Sequence, residues 1–379
     1  MPTRREFLKV MGAGAGALAL SRFIGPGAAE ASPRVEQEKS LPRVLGFYLP
    51  FHVVPNDIEM KKFEGLVLDS GANTVVVDIK NEAGLINIPF EHPLKSKAKQ
   101  SWAEDYGKLD QFLAWADKNT ILVIGRQVVM KDARLVWAHP DLAVQTGDGK
   151  VWHGDGAYWS NPFDERVVEY NAAVAEAMAV LGIKVVQFDY VRLPADGKVK
   201  TIRYSQTNTR ENRVAAITAF FAAAKPLVNQ HGSLLLADFF GYTAWPDYYK
   251  DMGIGQSIEA AGPYLDGISP MAYPSLYASG LAEEVCGLKK CLPPTAYPYE
   301  VVYYTVKHAL ELLHKVNPNA LVMPWIQAYP DGRYGKRMGL AQFEAQQQGA
   351  FDAGATGVVA WNPSLQYHPE FYQTMAGEE

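Results

Sequence analysis

Short runs of β-branched and other apolar residues recur along the chain, and a longer segment with helical periodicity follows most of them. The runs predict eight strands at Val44–Leu49, Thr74–Ile79, Ile121–Val128, Lys184–Val191, Leu234–Phe240, Gly267–Tyr273, Ala320–Ala328 and Gly357–Trp361. The longer segments predict helices at Asp57–Ser70, Tyr106–Lys118, Glu165–Leu181, Asn208–Asn229, Glu300–Lys315 and Leu340–Ala353. A glycine after three of these helices marks the point where each one ends before a strand (Gly71, Gly182 and Gly354).

Eight alternating units on a chain of 379 residues are typical of a single (β/α)8 TIM barrel. An open doubly wound sheet has fewer strands and usually a glycine-rich turn after the first strand, whereas this first strand runs into Tyr48-Leu49-Pro50-Phe51-His52. We therefore expect one barrel over residues 42–379. Its long loops follow strand three (residues 129–163) and strand six (residues 274–299), at the face where barrel active sites are built.

The N-terminus carries a different pattern. Two adjacent arginines, Arg4 and Arg5, precede Phe7-Leu8-Lys9, an apolar run from Val10 to Leu20 and small residues that end at Ala31. This arrangement resembles the twin-arginine export signal, and the apolar run is too short and glycine-rich for a comfortable membrane span. We expect residues 1–31 to be a signal peptide read by the twin-arginine export machinery and residues 32–41 to be a polar linker. The mature protein would be periplasmic or secreted with no stable membrane span; the alternative is an uncleaved anchor.

The sequence contains two cysteines, Cys286 and Cys291, separated by Gly-Leu-Lys-Lys. In a cytosolic protein such a pair could bind a metal or act in redox chemistry. In an exported protein a small disulfide-closed loop is the expected state, and there is no further cysteine to complete a zinc site.

Composition narrows the function classes. Hydrophobic residues make up 48% of the chain, which is enough for a full core. The formal charge of −5, from 36 Lys+Arg and 41 Asp+Glu, gives no basic excess of the kind that nucleic-acid binders use. Aromatic residues reach 12%, with 20 tyrosines, and suit either a large core or the stacking of sugar rings.

Polar and aromatic residues at the carboxyl ends of barrel strands are the candidates for function. The polar candidates are Asp78, Lys80, Arg126, Gln127, Gln187, Asp189, Arg192, Asp238, Gln327 and Asn362, and the aromatic ones are Tyr48, Tyr190, Tyr273, Trp325 and Trp361. A glycosidic bond is cleaved by two carboxyl groups, one of which protonates the leaving oxygen while the other attacks the anomeric carbon or activates water. Aromatic rings present apolar faces to sugar rings. This set of residues therefore predicts a carbohydrate substrate.

Asp189 is the strongest catalytic candidate. Period-2 alternation places Gln187 and Asp189 on one face of strand four and Phe188 and Tyr190 on the other, so the polar pair is expected inside the barrel near its mouth. Arg192 would hold this carboxylate ionised, as a nucleophile requires. The structural alternative is a buried Asp–Arg pair that fixes the turn after the strand.

Asp238 follows Leu234-Leu235-Leu236-Ala237 on strand five, and a carboxyl group among apolar neighbours tends toward a raised pKa, as a general acid requires. Its alternative is an Asp that caps the following turn or helix. Asp78 is a third carboxylate at a strand end, which could instead order the rim by pairing with Lys80 or Arg126.

The eight histidines show neither H-x-H at a strand end nor H-E-x-x-H on a helix, and no G-x-S-x-G motif occurs. We expect no metal and no cofactor at the site.

Three stretches carry a family resemblance: residues 187–194 (QFDYVRLP), residues 237–241 (ADFFG) and residues 268–275 (ISPMAYPS). They resemble the bacterial "putative glycosyl hydrolase domain" proteins, as do residues 77–80, 124–126, 253–256 and 324–327, in the order that this family has them. The resemblance implies a TIM barrel distantly similar to α-amylase-like and α-galactosidase-like hydrolases. It also implies that Asp189 is the strand-four nucleophile. Asp238 stands at the matching strand-five position, where amylase-like enzymes commonly carry Glu.

These residues predict an exported glycoside hydrolase, with Asp189 as nucleophile or base and Asp238 as acid. Substrate-binding roles are expected for Tyr48, Asp78, Arg126, Tyr190, Arg192, Tyr273, Trp325, Gln327 and Trp361. A non-catalytic polysaccharide-binding barrel and a metal-dependent polysaccharide deacetylase are the alternatives.

Overall fold

A computed structural model of the chain describes residues 41–95, 106–154, 156–245, 251–277, 283–287, 291–332 and 339–373. The chain divides into the units Met1–Pro42 and Arg43–Glu379, and the fold below is that of the second unit. The predicted signal peptide, and nearly all of the predicted linker, lie outside the described residues.

Eight parallel strands close into a barrel, which confirms the predicted TIM fold. The strands are β1 (Val44–Leu49), β2 (Thr74–Lys80), β3 (Leu122–Val128), β4 (Val185–Asp189), β5 (Leu234–Phe240), β6 (Gly267–Met271), β7 (Leu321–Val322 and Trp325–Gln327) and β8 (Gly357–Trp361). Each strand pairs with the next along the chain, and β8 pairs with β1 to close the ring. β7 is interrupted at Pro324, which has no backbone N–H to donate to a neighbouring strand.

Helices surround the strands. They are α1 (Asp57–Ser70), α2 (Tyr106–Lys118), α3 (Ala133–Ala138), α4 (Glu165–Val180), α5 (Arg210–Asn229), α6 (Ile258–Ala261), α7 (Glu283–Cys286), α8 (Pro298–His314) and α9 (Leu340–Asp352). None of the described helices is long and apolar enough to cross a membrane.

Local signals explain the element boundaries. Gly71, Gly182 and Gly354 adopt φ of 76°, 88° and 97°, a left-handed conformation that ends each helix at low steric cost. β4 ends at Asp189, two residues before its predicted end, because Tyr190 also adopts a left-handed φ of 50° and turns the chain. α5 begins after Thr209, whose hydroxyl accepts a hydrogen bond from the backbone N–H of Asn212.

The two faces of the barrel strands differ as their sequence pattern predicts. Phe188 points outward and packs against Phe220 of α5, with ring centroids 4.8 Å apart. Gln187 points inward, where its Nε2 donates to the hydroxyl of Ser269 on β6 at 2.8 Å. The polar face of β4 therefore lies inside the barrel, and its apolar face lies under the helices.

The two long loops follow β3 and β6, as predicted. The loop after β3 contains α3 and two short strands, His153–Gly154 and Ala157–Tyr158, which pair with each other. The loop after β6 contains the predicted disulfide between Cys286 and Cys291, with the two Cα atoms 5.8 Å apart.

Candidate active site

Two carboxylates share one arginine at the mouth of the barrel. Arg126 on β3 lies between Asp78 on β2 and Asp189 on β4. Its Nη1 donates to Asp78 Oδ1 at 2.5 Å, and its Nε donates to Asp189 Oδ2 at 3.1 Å. A second bond from Arg126 Nη2 to the same Asp189 oxygen completes the contact. Neighbouring strands supply the three residues, so the barrel itself sets their spacing.

Burial and the neighbouring charges have opposite effects on the pKa values of Arg126 and Asp78. Burial alone would lower the pKa of Arg126, but the carboxylates of Asp78 and Asp189 raise it well above its ordinary value. Burial raises the pKa of Asp78, although Arg126 and the hydroxyl of Tyr48 partly offset this effect. Tyr48 donates that hydrogen bond to Asp78 Oδ2 at 2.7 Å. Arg126 is thus a permanent cation that fixes both neighbouring carboxyl groups.

The turn after β4 shapes the surroundings of Asp189. The backbone N–H of Tyr190 donates to Asp189 Oδ1 at 2.5 Å, and Tyr190 holds its left-handed φ of 50° at this point. Such backbone strain in a non-glycine residue is concentrated at functional sites. Arg192 lines the same cavity but forms no ion pair with Asp189, so the predicted Asp189–Arg192 pair is wrong and Arg126 is the partner instead.

Asp238 on β5 differs from Asp189 in that it is bonded to a neutral side chain and not to an arginine. It is 1% exposed, its Oδ1 accepts a hydrogen bond from Trp325 Nε1 at 2.8 Å, and its Oδ2 has no hydrogen-bond partner among the described residues. Burial, followed by the negative charge of Asp189, raises the pKa of Asp238 well above its ordinary value, against a smaller opposing effect of Arg126. Asp238 therefore favours its protonated form more than an ordinary aspartate does, and one of its oxygens has no partner among the described residues.

The two carboxyl groups lie side by side. The β4–β5 register pairs Phe188 with Ala237, so the next residues along the two strands are Asp189 and Asp238. Both side chains line one cavity of about 410 Å³ at the mouth of the barrel. A carboxylate held in an ion pair beside a carboxyl group with a raised pKa is the arrangement expected of a nucleophile or base next to an acid.

Aromatic side chains form much of the remaining cavity wall. The ring of Tyr273 at the end of β6 stacks on Trp361 of β8, with centroids 5.4 Å apart and planes 28° apart. Tyr329 after β7 meets Trp361 edge to face at 5.1 Å. The complete lining is Arg126, Asp189, Tyr190, Arg192, Asp238, Phe240, Met271, Tyr273, Leu276, Trp325, Tyr329, Trp361 and Pro363.

The other residues predicted for the site have supporting positions. Tyr48 and Asp78 lie behind Arg126, outside the cavity lining. Gln327 lies outside it too: its Oε1 accepts from the backbone N–H of Ser275 and its Nε2 donates to the carbonyl of Tyr329, so it ties two rim loops together. Trp325 lines the cavity but also holds Asp238.

Lys80 belongs to a separate buried cluster. A β-bulge between Asp78 and Lys80 turns Lys80 away from the mouth, and its Nζ pairs with Asp132 Oδ2 at 2.8 Å and with Asn171 Oδ1 at 2.9 Å. Of the two partners proposed for Asp78 from the sequence, the structure selects Arg126.

Sequence reasoning missed five lining residues: Phe240, Met271, Leu276, Tyr329 and Pro363. Phe240 and Met271 were predicted as strand residues, and their position at the strand ends was the available signal. Leu276, Tyr329 and Pro363 are in loops, where no periodicity indicates which way a side chain points.

No group of three or more His, Cys, Asp or Glu side chains in the described ranges is arranged to hold a metal ion.

The central arginine gives a stability prediction. Arg126→Met leaves Asp78 and Asp189 buried without their cation, and we expect the free energy of unfolding to fall by about 3–5 kcal/mol at neutral pH. Chemical denaturation measures this effect. Arg166→Met is the matched control, because Arg166 is 51% exposed and pairs with Asp141 and Asp164 at the surface, where loss should stay below about 1 kcal/mol. Equal losses in the two variants would contradict the role given to Arg126.

A known protein family matches most of the chain. The model of the family described as "putative glycosyl hydrolase domain" matches residues 46–367. No curated protein sequence matches the chain.

Solved structures share the fold at low sequence identity. The PgaB (BpsB) glycoside hydrolase domain from Bordetella bronchiseptica is 12% identical over 89% of this chain and 99% of that chain, with a TM-score of 0.61. A beta-galactosidase from Marinomonas ef1 is 13% identical over 84% of this chain and 54% of that one, with a TM-score of 0.59. An alpha-galactosidase from Thermus thermophilus is 13% identical over 89% and 65%, with a TM-score of 0.52.

Proposed function

The chain belongs to the family of putative glycosyl hydrolase domains, and on this premise we propose that it cleaves glycosidic bonds of a polysaccharide or oligosaccharide with Asp189 and Asp238. The observation that carries the proposal is the pair of unlike carboxyl groups in one cavity: Asp189 is ion-paired with Arg126, whereas burial and the charge of Asp189 raise the pKa of Asp238 well above its ordinary value. Glycoside hydrolysis requires such a pair: one carboxyl group protonates the leaving oxygen, and the other attacks the anomeric carbon or activates water.

Asp238 is the proposed general acid. Its Oδ2 has no hydrogen-bond partner among the described residues, and its raised pKa favours the protonated form that a general acid requires. Trp325 holds Oδ1 by a hydrogen bond, which fixes the plane of the carboxyl group. The proton would pass from Asp238 to the oxygen of the departing sugar as the glycosidic bond breaks.

Asp189 is the proposed nucleophile or base. Arg126 and the N–H of Tyr190 together engage both of its oxygens, so its orientation is fixed before substrate binds. Asp189 and Asp238 stand at the same level on adjacent strands, and retaining enzymes hold their two carboxyl groups closer together, roughly 5–5.5 Å apart, than inverting ones do. We therefore favour attack by Asp189 on the anomeric carbon, followed by hydrolysis of the glycosyl-enzyme.

The stacked pair Tyr273 and Trp361 supports a sugar substrate. Its rings offer apolar faces at the edge of the cavity, opposite β4 in the eight-stranded ring. A hydrolase of small apolar substrates would not need a carboxyl pair beside such a surface.

A glycan panel tests the function. The purified chain should release new reducing ends from at least one polysaccharide, the Asp189→Asn variant should not, and NMR should show a first product that keeps the anomeric configuration of the substrate. Binding without turnover would instead favour a polysaccharide-binding barrel. Activity lost on chelation and restored by metal would favour a deacetylase.

We also propose export through the twin-arginine pathway, on the sequence of residues 1–31; the disulfide Cys286–Cys291 supports an oxidising destination. Changing Arg4 and Arg5 together to Lys should leave full-length precursor inside the cell, whereas Arg22→Lys in the same segment should be exported normally. Cell fractionation and N-terminal mass measurement provide the readout. Normal export of the twin-lysine variant would refute this pathway.

A further inference from the structure

The cavity contains a second arginine, Arg192, that forms no ion pair with a carboxylate of the described residues. Arg192 lines the cavity two residues after Tyr190, and its Nη1 donates to the backbone carbonyl of Leu193 at 3.1 Å. Within the described part of the chain this is its one hydrogen bond, and no carboxylate oxygen there lies within ion-pair distance of it. A guanidinium group has five N–H donors, so most of the donors of Arg192 are unused.

The two arginines that line the cavity differ in their partners. Arg126 lines the same cavity, but two carboxylates engage it from both sides. Arg192 instead lies over the rings of Trp159 and Tyr190, with its Cζ 5.0 Å and 5.2 Å from the two centroids. Cation–π contacts hold a guanidinium in place while leaving its N–H groups free for another partner.

A second cation lies on the same tyrosine. Lys131 Nζ is 4.8 Å from the centroid of the Tyr190 ring, and no ion pair joins it to a carboxylate of the described residues. Two cations therefore flank Tyr190 at the rim that follows β3 and β4. Asp189, whose negative charge also acts on Arg192, already forms an ion pair with Arg126.

The remaining wall defines how a ligand would lie. Tyr273 and Trp361 stand at the ends of β6 and β8, and β8 is opposite β4 in the ring. A sugar ring against this aromatic pair would extend across the mouth toward Arg192. The wall opposite Arg192 is uncharged, so an acidic substituent would find its cation on one side only.

We propose that the cavity binds an anionic glycan, whose carboxylate or sulfate group is bound by the free N–H donors of Arg192, with Lys131 adding to the positive potential. The proposal rests on the proposed glycosidase function for the nature of the ligand and goes beyond it in naming the charge. Carboxylate and sulfate both accept paired hydrogen bonds from a guanidinium, so they share the recognition chemistry.

Matched acidic and neutral glycans test the proposal. The carboxylated probes are alginate and polygalacturonate with their carboxyl-reduced forms, and the sulfated probe is dextran sulfate with dextran. Titration calorimetry on the full chain should show at least tenfold tighter binding of one acidic member than of its neutral counterpart. Its affinity should weaken as the salt rises from about 50 to about 500 mM. Tighter binding of the carboxylated glycans would identify the acidic group as a carboxylate, and tighter binding of dextran sulfate would identify it as a sulfate.

Variants assign the effect to Arg192. Arg192→Gln should weaken binding of the acidic glycan by about 10–100-fold and affect binding of the neutral form much less, because the charged hydrogen-bond partner of the acidic group is lost. Arg192→Lys should recover part of the affinity. Arg166→Gln, which removes the same charge outside the cavity, should bind like the wild type. Equal binding of acidic and neutral forms, no binding of any acidic probe, or an unchanged preference in Arg192→Gln would overturn the proposal.

Turnover separates this inference from the hydrolase proposal. Acidic glycans that bind through Arg192 and are never cleaved would refute the hydrolase and leave the anion site standing. Cleavage of neutral glycans, with no preference for their acidic forms in binding or in rate, would refute the anion site and leave the hydrolase standing.

Discussion

Asp189→Asn is expected to lower kcat by about 10³–10⁵-fold, since an amide can neither attack the anomeric carbon nor accept a proton from water. The substitution conserves volume, and the amide oxygen can still accept a hydrogen bond from the N–H of Tyr190 or from Arg126. The fold should therefore persist while the chemistry is lost. Initial rates on the best glycan of the panel, together with the melting temperature, measure both quantities.

A buried Asp–Arg pair elsewhere in the barrel provides the control. Asp251 is 5% exposed, its Oδ2 accepts a hydrogen bond from Arg213 Nε at 2.8 Å, and it does not line the cavity. Asp251→Asn should cost stability and leave kcat unchanged. If Asp189→Asn behaves in the same way, losing stability but keeping activity, then Asp189 is a structural partner of Arg126 and not a catalytic residue.

Chemical rescue distinguishes a nucleophile from a base. In Asp189→Ala the space freed beside Arg126 can admit azide, which attacks the anomeric carbon in place of the carboxylate. A retaining mechanism predicts a glycosyl azide of inverted configuration and a partial recovery of rate. Absence of rescue, with inversion of configuration in the wild-type reaction, would assign Asp189 as a base that activates water.

Asp238→Asn is expected to lower kcat by about 10²–10⁴-fold on natural glycans, which need a proton on the leaving oxygen. Aryl glycosides with acidic phenol leaving groups need no such proton, so their rate should fall much less. The wild-type rate should also decline on the alkaline side as Asp238 loses its proton, and this decline should be missing from the variant. A uniform loss on both substrate types would argue against the acid role.

The same substitution should stabilise the fold. The pKa of Asp238 is raised in the folded state, chiefly by burial and then by Asp189, so the folded protein holds a proton that the unfolded chain has lost. Below the unfolded pKa of about 4 the two variants should have similar stability. As pH rises from there toward the folded pKa, the wild type loses stability and Asp238→Asn gains a growing advantage. Denaturant unfolding at several pH values measures this trend.

Asp251 predicts the reverse trend and serves as the control. Burial by itself raises the pKa of Asp251, but Arg213 and the backbone N–H of Gly253 lower it more strongly. Its stabilising effect is therefore present above the unfolded pKa and is lost as pH falls through the folded value. Asp251→Asn should be less stable than the wild type at neutral pH and approach it in acid. A parallel trend in the two variants would contradict the assignment for Asp238.

Much of the barrel could be predicted from the chain because its signals are local. β1, β5 and β8 have the predicted bounds, since each is a compact apolar run between turns. α8 begins at Pro298, before the predicted Glu300, because proline fits the first turn of a helix. The short helix Ile258–Ala261 between β5 and β6 escaped prediction because four residues are too few for a periodic pattern.

Among the aromatic residues too, the sequence predicts the position of those on strands but not of those in loops. The alternation of β4 predicts that Phe188 packs under the helices, and the structure places it against Phe220. Tyr190, Tyr273, Trp325 and Trp361 do line the cavity, as their position at strand ends indicates. Tyr329 also lines it from a loop, where sequence gives no measure of side-chain direction.

By itself, the sequence determined the eight strands, the end of the barrel that carries polar side chains, and the two carboxyl groups that stand there, because periodicity and strand ends involve neighbours along the chain. Only the tertiary structure decided their partners. Arg126 reaches Asp189 across 63 positions, and Trp325 reaches Asp238 across 87. These pairings depend on strand order, register and the turn at Tyr190; they place one carboxyl group in an ion pair and bury the other, which raises its pKa.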